Sequence, residues 1–129
     1  MTLLTFFPEA AHALITQLAF DRHALLPAIA VQHDSGEVLM QAWMNQDAVL
    51  ETLTTGRVCY YSRSRASLWR KGETSGHIQT LVGFRVDCDK DSILLLVEQT
   101  GAACHTNRHN CYFHEAQADG TFRIISEPL

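Results

Sequence analysis

The sequence predicts a mainly β domain with an α+β tendency, and three observations carry that reading. Extended runs separated by turn residues recur along the chain, as in PAIAVQH and EVLMQAWM around Asp34, Ser35 and Gly36. Only two stretches have helical spacing and helical start and stop signals. Residues 92–99, SILLLVEQ, form a nearly continuous apolar run of strand length. The pattern adds up to two short helices and six or seven strands, mostly antiparallel. With 129 residues and no linker-like shift in composition, residues 1–129 read as one domain.

Taken in order, residues 8–20 predict an opening helix. Pro8 is tolerated in its first turn, and Leu14, Ile15 and Leu18 share a side that would cover a sheet. His12 and His23 read as surface residues. After the hairpin of residues 27–33 and 37–44, Asn45 reads as the cap of a second helix, QDAVLETLTT. Gly56 ends it, and Val49, Leu50 and Leu53 face inward. Met40 and Met44 read as core filler.

RVCYYSRSR predicts a strand that turns polar and basic, followed by a loop over ASLWRKGETSG. Extended structure resumes in IQTLVGFRV. SILLLVEQ predicts a strand buried on both faces or in a subunit interface. TGAACHTNRHNC follows as a loop, and YFHEAQ with TFRIIS closes the chain as a second hairpin around Ala118, Asp119 and Gly120.

Composition excludes several function classes. Hydrophobic residues make up 47% of the chain, which is no disordered tail. A formal net charge of -4 gives no general attraction to nucleic acid, although a local basic patch can still hold a phosphate. No signal peptide or membrane-length apolar run is apparent, so cytoplasmic residence is the expectation.

Chemistry concentrates in residues 87–111, DCDKDSILLLVEQTGAACHTNRHNC. Cys88, Cys104 and Cys111 lack the paired spacing of a zinc finger and are one ligand short of a closed structural site. A zinc ion left open on one side carries water and lowers its pKa toward about 7, so the ligand count favours catalytic over structural zinc. His105 or His109 could instead complete a closed site. Ordinary buried cysteine explains Cys59 in its apolar run, but explains Cys104 and Cys111 poorly among polar neighbours.

Asp87, Asp89 and Asp91 alternate, so an extended backbone would hold their Cβ atoms more than about 6 Å apart. A turn at Lys90, water, or a substrate phosphate would have to close the gap for magnesium. The alternative is a solvated acidic turn. Cys88, between the aspartates, would point the other way, as suits a strand at a subunit boundary.

Residues 62–77, SRSRASLWRKGETSGH, offer Arg63, Arg65, Lys71 and Ser75 for phosphate binding, yet match neither a Walker motif nor a dinucleotide fingerprint. Trp69 can stack on a base or simply pack. Glu73 and His77 are acid–base candidates, against the alternative of a surface loop paired with its own arginines.

Together, YYSRSRASLWRKGETSGH, DCDKD and ACHTNRHNC resemble the phosphoribosyl-AMP cyclohydrolase family of histidine biosynthesis, in its single-function form. The resemblance covers roughly residues 27–115. It implies a small mixed-sheet, barrel-like domain forming an intertwined homodimer, with active sites assembled at the interface. It also implies zinc held by Cys88 of one subunit with Cys104 and Cys111 of the other, and magnesium on Asp87, Asp89 and Asp91. The implied reaction is hydrolytic opening of the N1–C6 bond of the adenine ring in 1-(5-phosphoribosyl)-AMP, with His105 or His77 moving the proton. The chain departs from the family's usual wording at Asn107, where CHTG is common, and at Asn110, where Ser is usual. A zinc deaminase is the enzymatic alternative, but its HxE and PCxxC arrangement is absent. A zinc-stabilised nucleotide-binding module is the nonenzymatic one.

Overall fold

A computed structural model describes residues 3–129. Its centre is a six-stranded mixed sheet in the order β4-β3-β2-β1-β6-β5. The strands are β1 (Leu26–Gln32), β2 (Val38–Met44), β3 (Cys59–Ser62), β4 (Ser67–Arg70), β5 (Gln79–Val86) and β6 (Ile93–Gln99). A separate two-stranded hairpin joins β7 (His114–Ala116) to β8 (Phe122–Ile124). All pairs are antiparallel except β1 with β6. A bridge between Arg57 and Thr80, with Val58 N donating to Gln79 O, ties the approach to β3 back onto β5. The sheet therefore curls into a half-barrel.

Helix α2 (Gln46–Thr55) forms as its sequence dictates. Asn45 Oδ1 accepts from Ala48 N at 2.8 Å, satisfying one free N–H of the first turn. Gly56 stops the helix at φ 73°, where a Cβ would also meet the Leu3 side chain at 2.5 Å. Val49 and Leu53 are fully buried and Leu50 packs at the margin.

Helix α1 (Pro8–Ile15) is shorter than the 8–20 expected. Thr16 Oγ1 and Gln17 Nε2 both donate to Ala13 O, and this local competition with backbone bonding accompanies the helix end. It packs on α2 and adds Ala11 and Ile15 to the core.

Two further expectations need correction. Residues 66–76 are not one loop, because Ser67–Arg70 forms β4 and brings the strands among the described residues to eight. Its register sets Trp69 opposite Tyr60, with ring centroids 5.4 Å apart, and such cross-strand aromatic pairs stabilise a short hairpin. Within this chain β6 is not buried on both faces. Ile93, Leu95 and Val97 enter the core, whereas Leu94 and Leu96 are only half-buried.

Parallel pairing of β1 with β6 places Gln32 and Gln99 at the same end of the sheet, beside the start of β5 at Gln79. The loop of residues 100–111 leaves from this end, and Cys111 N is held there by Leu39 O at 2.8 Å. The β5–β6 turn bearing Asp87–Asp91 lies at the other end.

Candidate active site

A cavity of about 840 Å³ opens at the Gln99 end of the sheet. Arg65, Trp69, Lys71, Glu73 and Ser75 line one side, and His77, Cys104, His105 and Cys111 also reach its wall. The β3–β4 hairpin and the loop after it thus face the cysteine loop.

Cys104 and Cys111 line the same cavity, near enough that each thiol shifts the other's pKa. Partial burial raises the Cys104 thiol, but the Thr106 hydroxyl, 3.0 Å from its Sγ, the Thr106 N–H and the Cys111 thiol outweigh it. The net shift is downward. Cys111 is pushed up to about 11 by partial withdrawal from water and by Cys104 beside it. One thiol shifted down beside one shifted up is a donor pair suited to a soft divalent cation, whose binding displaces the thiol protons.

Lys71 lies against this pair. Its Nζ donates to Ala103 O at 2.7 Å. Desolvation holds its pKa below the ordinary value, opposed by the charges of Cys111 and Cys104. Trp69 is 40% exposed while its ring rests on Tyr60.

Two expected residues lie elsewhere in the chain. Arg63 is outside the cavity, its guanidinium 4.5 Å from the centre of the Trp43 ring in a separate shallow recess. Cys88 is exposed on the β5–β6 turn, at the far end of the hairpin from Cys104. Cys59 is fully buried, and its thiol is pushed up to about 12 chiefly by desolvation.

Among the described residues, two groups of three could hold a metal ion. In Asp87, Asp89 and Asp91, one carboxylate oxygen from each lies within 4.8 Å of the others. The turn at Lys90, with φ 61°, closes the gap that an extended backbone would leave. Desolvation raises Asp87, but hydrogen bonds from Asp91 and Ser92 outweigh it and lower its pKa. Asp91 is raised to about 6 by side-chain hydrogen bonding with Asp89 and Asp87. Hard, crowded oxygens of this kind suit a hard divalent cation.

The second group, His33, Asp34 and Glu98, escapes sequence reading because the pairing spans β1 and β6. His33 Nε2 lies 3.1 Å from Glu98 Oε1, and Gln32 Nε2 donates to Glu98 Oε2 at 2.8 Å.

The loop carrying the cysteines is fastened from two sides. Glu37 takes His109 Nδ1 on one carboxylate oxygen and Asn110 Nδ2 on the other, each at 2.7 Å. Asn107, at φ 63°, donates from its side chain to Leu129 O at 2.7 Å. Asn107 and Asn110 therefore both have definite hydrogen-bond partners.

No helix among the described residues is long and apolar enough to cross a membrane.

The phosphoribosyl-AMP cyclohydrolase family model matches residues 40–113. A phosphoribosyl-AMP cyclohydrolase of Acidiphilium cryptum is 62% identical over 113 residues, covering 88% of this chain and 97% of that protein. Its counterpart in Granulibacter bethesdensis is 59% identical, covering 87% of this chain and 88% of its own. That of Alkalilimnicola ehrlichii is 60% identical, with 90% and 81% covered. These matches span the cavity wall, the acidic turn and the cysteine loop, and the chain belongs to the phosphoribosyl-AMP cyclohydrolase family.

Proposed function

We propose that this chain catalyses the ring-opening step of histidine biosynthesis, hydrolysing the N1–C6 bond of the adenine ring in 1-(5-phosphoribosyl)-AMP. The product is the formimino-aminoimidazole-carboxamide ribonucleotide. The observation that carries the reading is one cavity that joins a paired-thiol donor set to two histidines, a carboxylate and basic side chains.

Cys104 and Cys111 would hold zinc with Cys88 of a second copy, since the β5–β6 hairpin separates Cys88 from the other two. When bound, zinc supplies an activated water for attack on carbon. Asp87 and Asp89 flank Cys88, so the aspartate triad would travel with it to the neighbouring cavity. There the three carboxylates would hold magnesium against a substrate phosphate. The active assembly is then a homodimer with shared sites.

Substitution at N1 gives the adenine ring a positive charge and makes C6 electrophilic. His105, next to Cys104, takes the proton from the attacking water and returns it to N1 as the N1–C6 bond breaks. His77 is the other group able to move this proton, and Glu73 supplies a carboxylate on the same cavity. Trp69 offers its exposed ring surface to the base. Arg65 and Ser75 suit the second phosphate. Lys71 faces the thiols and supports their ionised form in preference to gripping phosphate. Arg63 is a candidate for a phosphate only by way of the second copy.

Turnover by metal-stripped protein tests the reading. Activity should return only when zinc is restored with magnesium present. Undiminished ring opening by protein verified to be zinc-free would defeat it.

A further inference from the structure

Beneath the cavity floor runs a chain of buried polar side chains that the proposed chemistry does not use. Gln32, Gln79 and Gln99 are no more than 7% exposed, and Tyr60 beside them is fully buried. Buried amides and phenols are costly unless their polar atoms find partners. Here they do. Tyr60 OH donates to Gln79 Oε1 at 2.6 Å, and Gln79 Nε2 donates to Gln99 Oε1 at 2.9 Å. Gln99 Nε2 in turn donates to His77 O at 3.2 Å and Thr100 O at 3.0 Å. Gln99 is fixed from behind by its own N–H, which donates to Gln32 Oε1 at 3.0 Å.

All these side-chain bonds run in one sense, from Tyr60 toward the carbonyls of His77 and Thr100, so each polarises the next. Matched apolar side chains would fill the same volume at little or no cost in stability. The feature peculiar to the amides is where they end, on the backbone at His77. The His77 ring is constrained from another direction by Gly101. A Cβ at Gly101 would fall 2.7 Å from His77 Cδ2 and 3.0 Å from Nε2. Ser75 Oγ takes the His77 N–H at 3.1 Å, so backbone and ring are both located.

We infer that Gln99, with Gly101, is a positioning residue for His77: the amide chain fixes the His77 backbone at the cavity wall, and the missing side chain at residue 101 leaves room for its ring. This rests on the reading of His77 as a proton-transfer group of the cavity.

The test uses the zinc- and magnesium-loaded enzyme. Gln99→Met should lower kcat by about tenfold or more while KM stays within about twofold and zinc content is unchanged, because a misplaced reacting group costs rate before affinity. Gly101→Ala should do the same at an exposed site; its φ of 68° also strains the backbone, so unchanged zinc content is the check that the cysteine loop keeps its place, and with that check it decides the question if Gln99→Met does not fold. In a background of His77→Ala neither change should lower kcat further, since the group they position is gone. If His77→Ala is slow but Gln99→Met and Gly101→Ala keep the parent kcat, the positioning role alone is overturned. Losses that add to that of His77→Ala, or loss of zinc from either variant, overturn it equally. A parent-like kcat in His77→Ala itself overturns the reading of His77 and the positioning role with it.

Discussion

Cys88 and Cys104 stand at opposite ends of the β5–β6 hairpin, separated by the length of β6, which at about 3.3 Å per residue is about 20 Å. Cys111, by contrast, lines the same cavity as Cys104. A single ion bound by three sulfurs needs them within about 4 Å of each other, given Zn–S bonds of about 2.3 Å. If the three cysteines hold one zinc ion as proposed, one chain would supply two of the sulfurs to each site and a second copy the third.

Thiol reactivity follows from these placements. In metal-free protein Cys88, exposed on its turn, should label first with an alkylating reagent. Cys59, buried and pushed up to about 12, should label only on unfolding. Added zinc should protect Cys88, Cys104 and Cys111 together, and peptide mass spectrometry reads all four sites. Zinc protection that spares Cys88 would remove it from the site.

The acidic turn should respond to pH with a defined sign. Asp91 has its folded pKa raised from 3.8 to about 6, so its contribution to stability is fully present below pH 3.8 and is lost as pH rises through about 6. Asp87 is shifted the opposite way, in part by Asp91 itself, so Asp91→Asn removes the raised carboxyl and relaxes Asp87 with it. In metal-free protein that variant should lose the fall in melting temperature between about pH 4 and 6. Magnesium should bind the parent protein with uptake coupled to proton release near pH 6, and without it at pH 8, as calorimetry in buffers of different ionisation enthalpy would read.

Lys71 should act on the thiols more than on the substrate. Lys71→Met should weaken zinc retention by about tenfold in chelator competition, since it removes the cation facing both sulfurs, with KM changed by less than about threefold. Lys71→Arg should recover part of the loss. A large rise in KM with normal zinc retention would return Lys71 to the phosphate.

What could be read from the chain depended on how local the signal was. Asn45 and Gly56 bracket α2 through bonds made within four residues, so letters alone reveal them. The three aspartates, which residue type alone marks as candidate metal ligands, do come within ligand distance of one another. Strand β4 is hard to read from the letters because Ser67–Arg70 is only four residues long, is followed by a glycine-containing polar stretch, and is held by pairing with β3, Trp69 opposite Tyr60. His33 and Glu98 are 65 residues apart and meet only through the parallel pairing of β1 with β6. The closeness of Asp87, Asp89 and Asp91 depends on the turn at Lys90, one of the three ways of closing the gap that the spacing allows, and the structure makes it with φ 61°. Nor does spacing indicate that Arg63 leaves the cavity for Trp43 while Arg65 lines it.

Subunit complementation addresses the shared site directly. Cys88→Ala and Cys104→Ala should each be inactive alone. After co-refolding, random pairing gives about half mixed dimers, each with one site whose three sulfurs are intact, so turnover should recover to about a quarter of the parent value. No recovery from a mixture shown to contain folded mixed dimers would contradict the account, as would full activity in either variant alone.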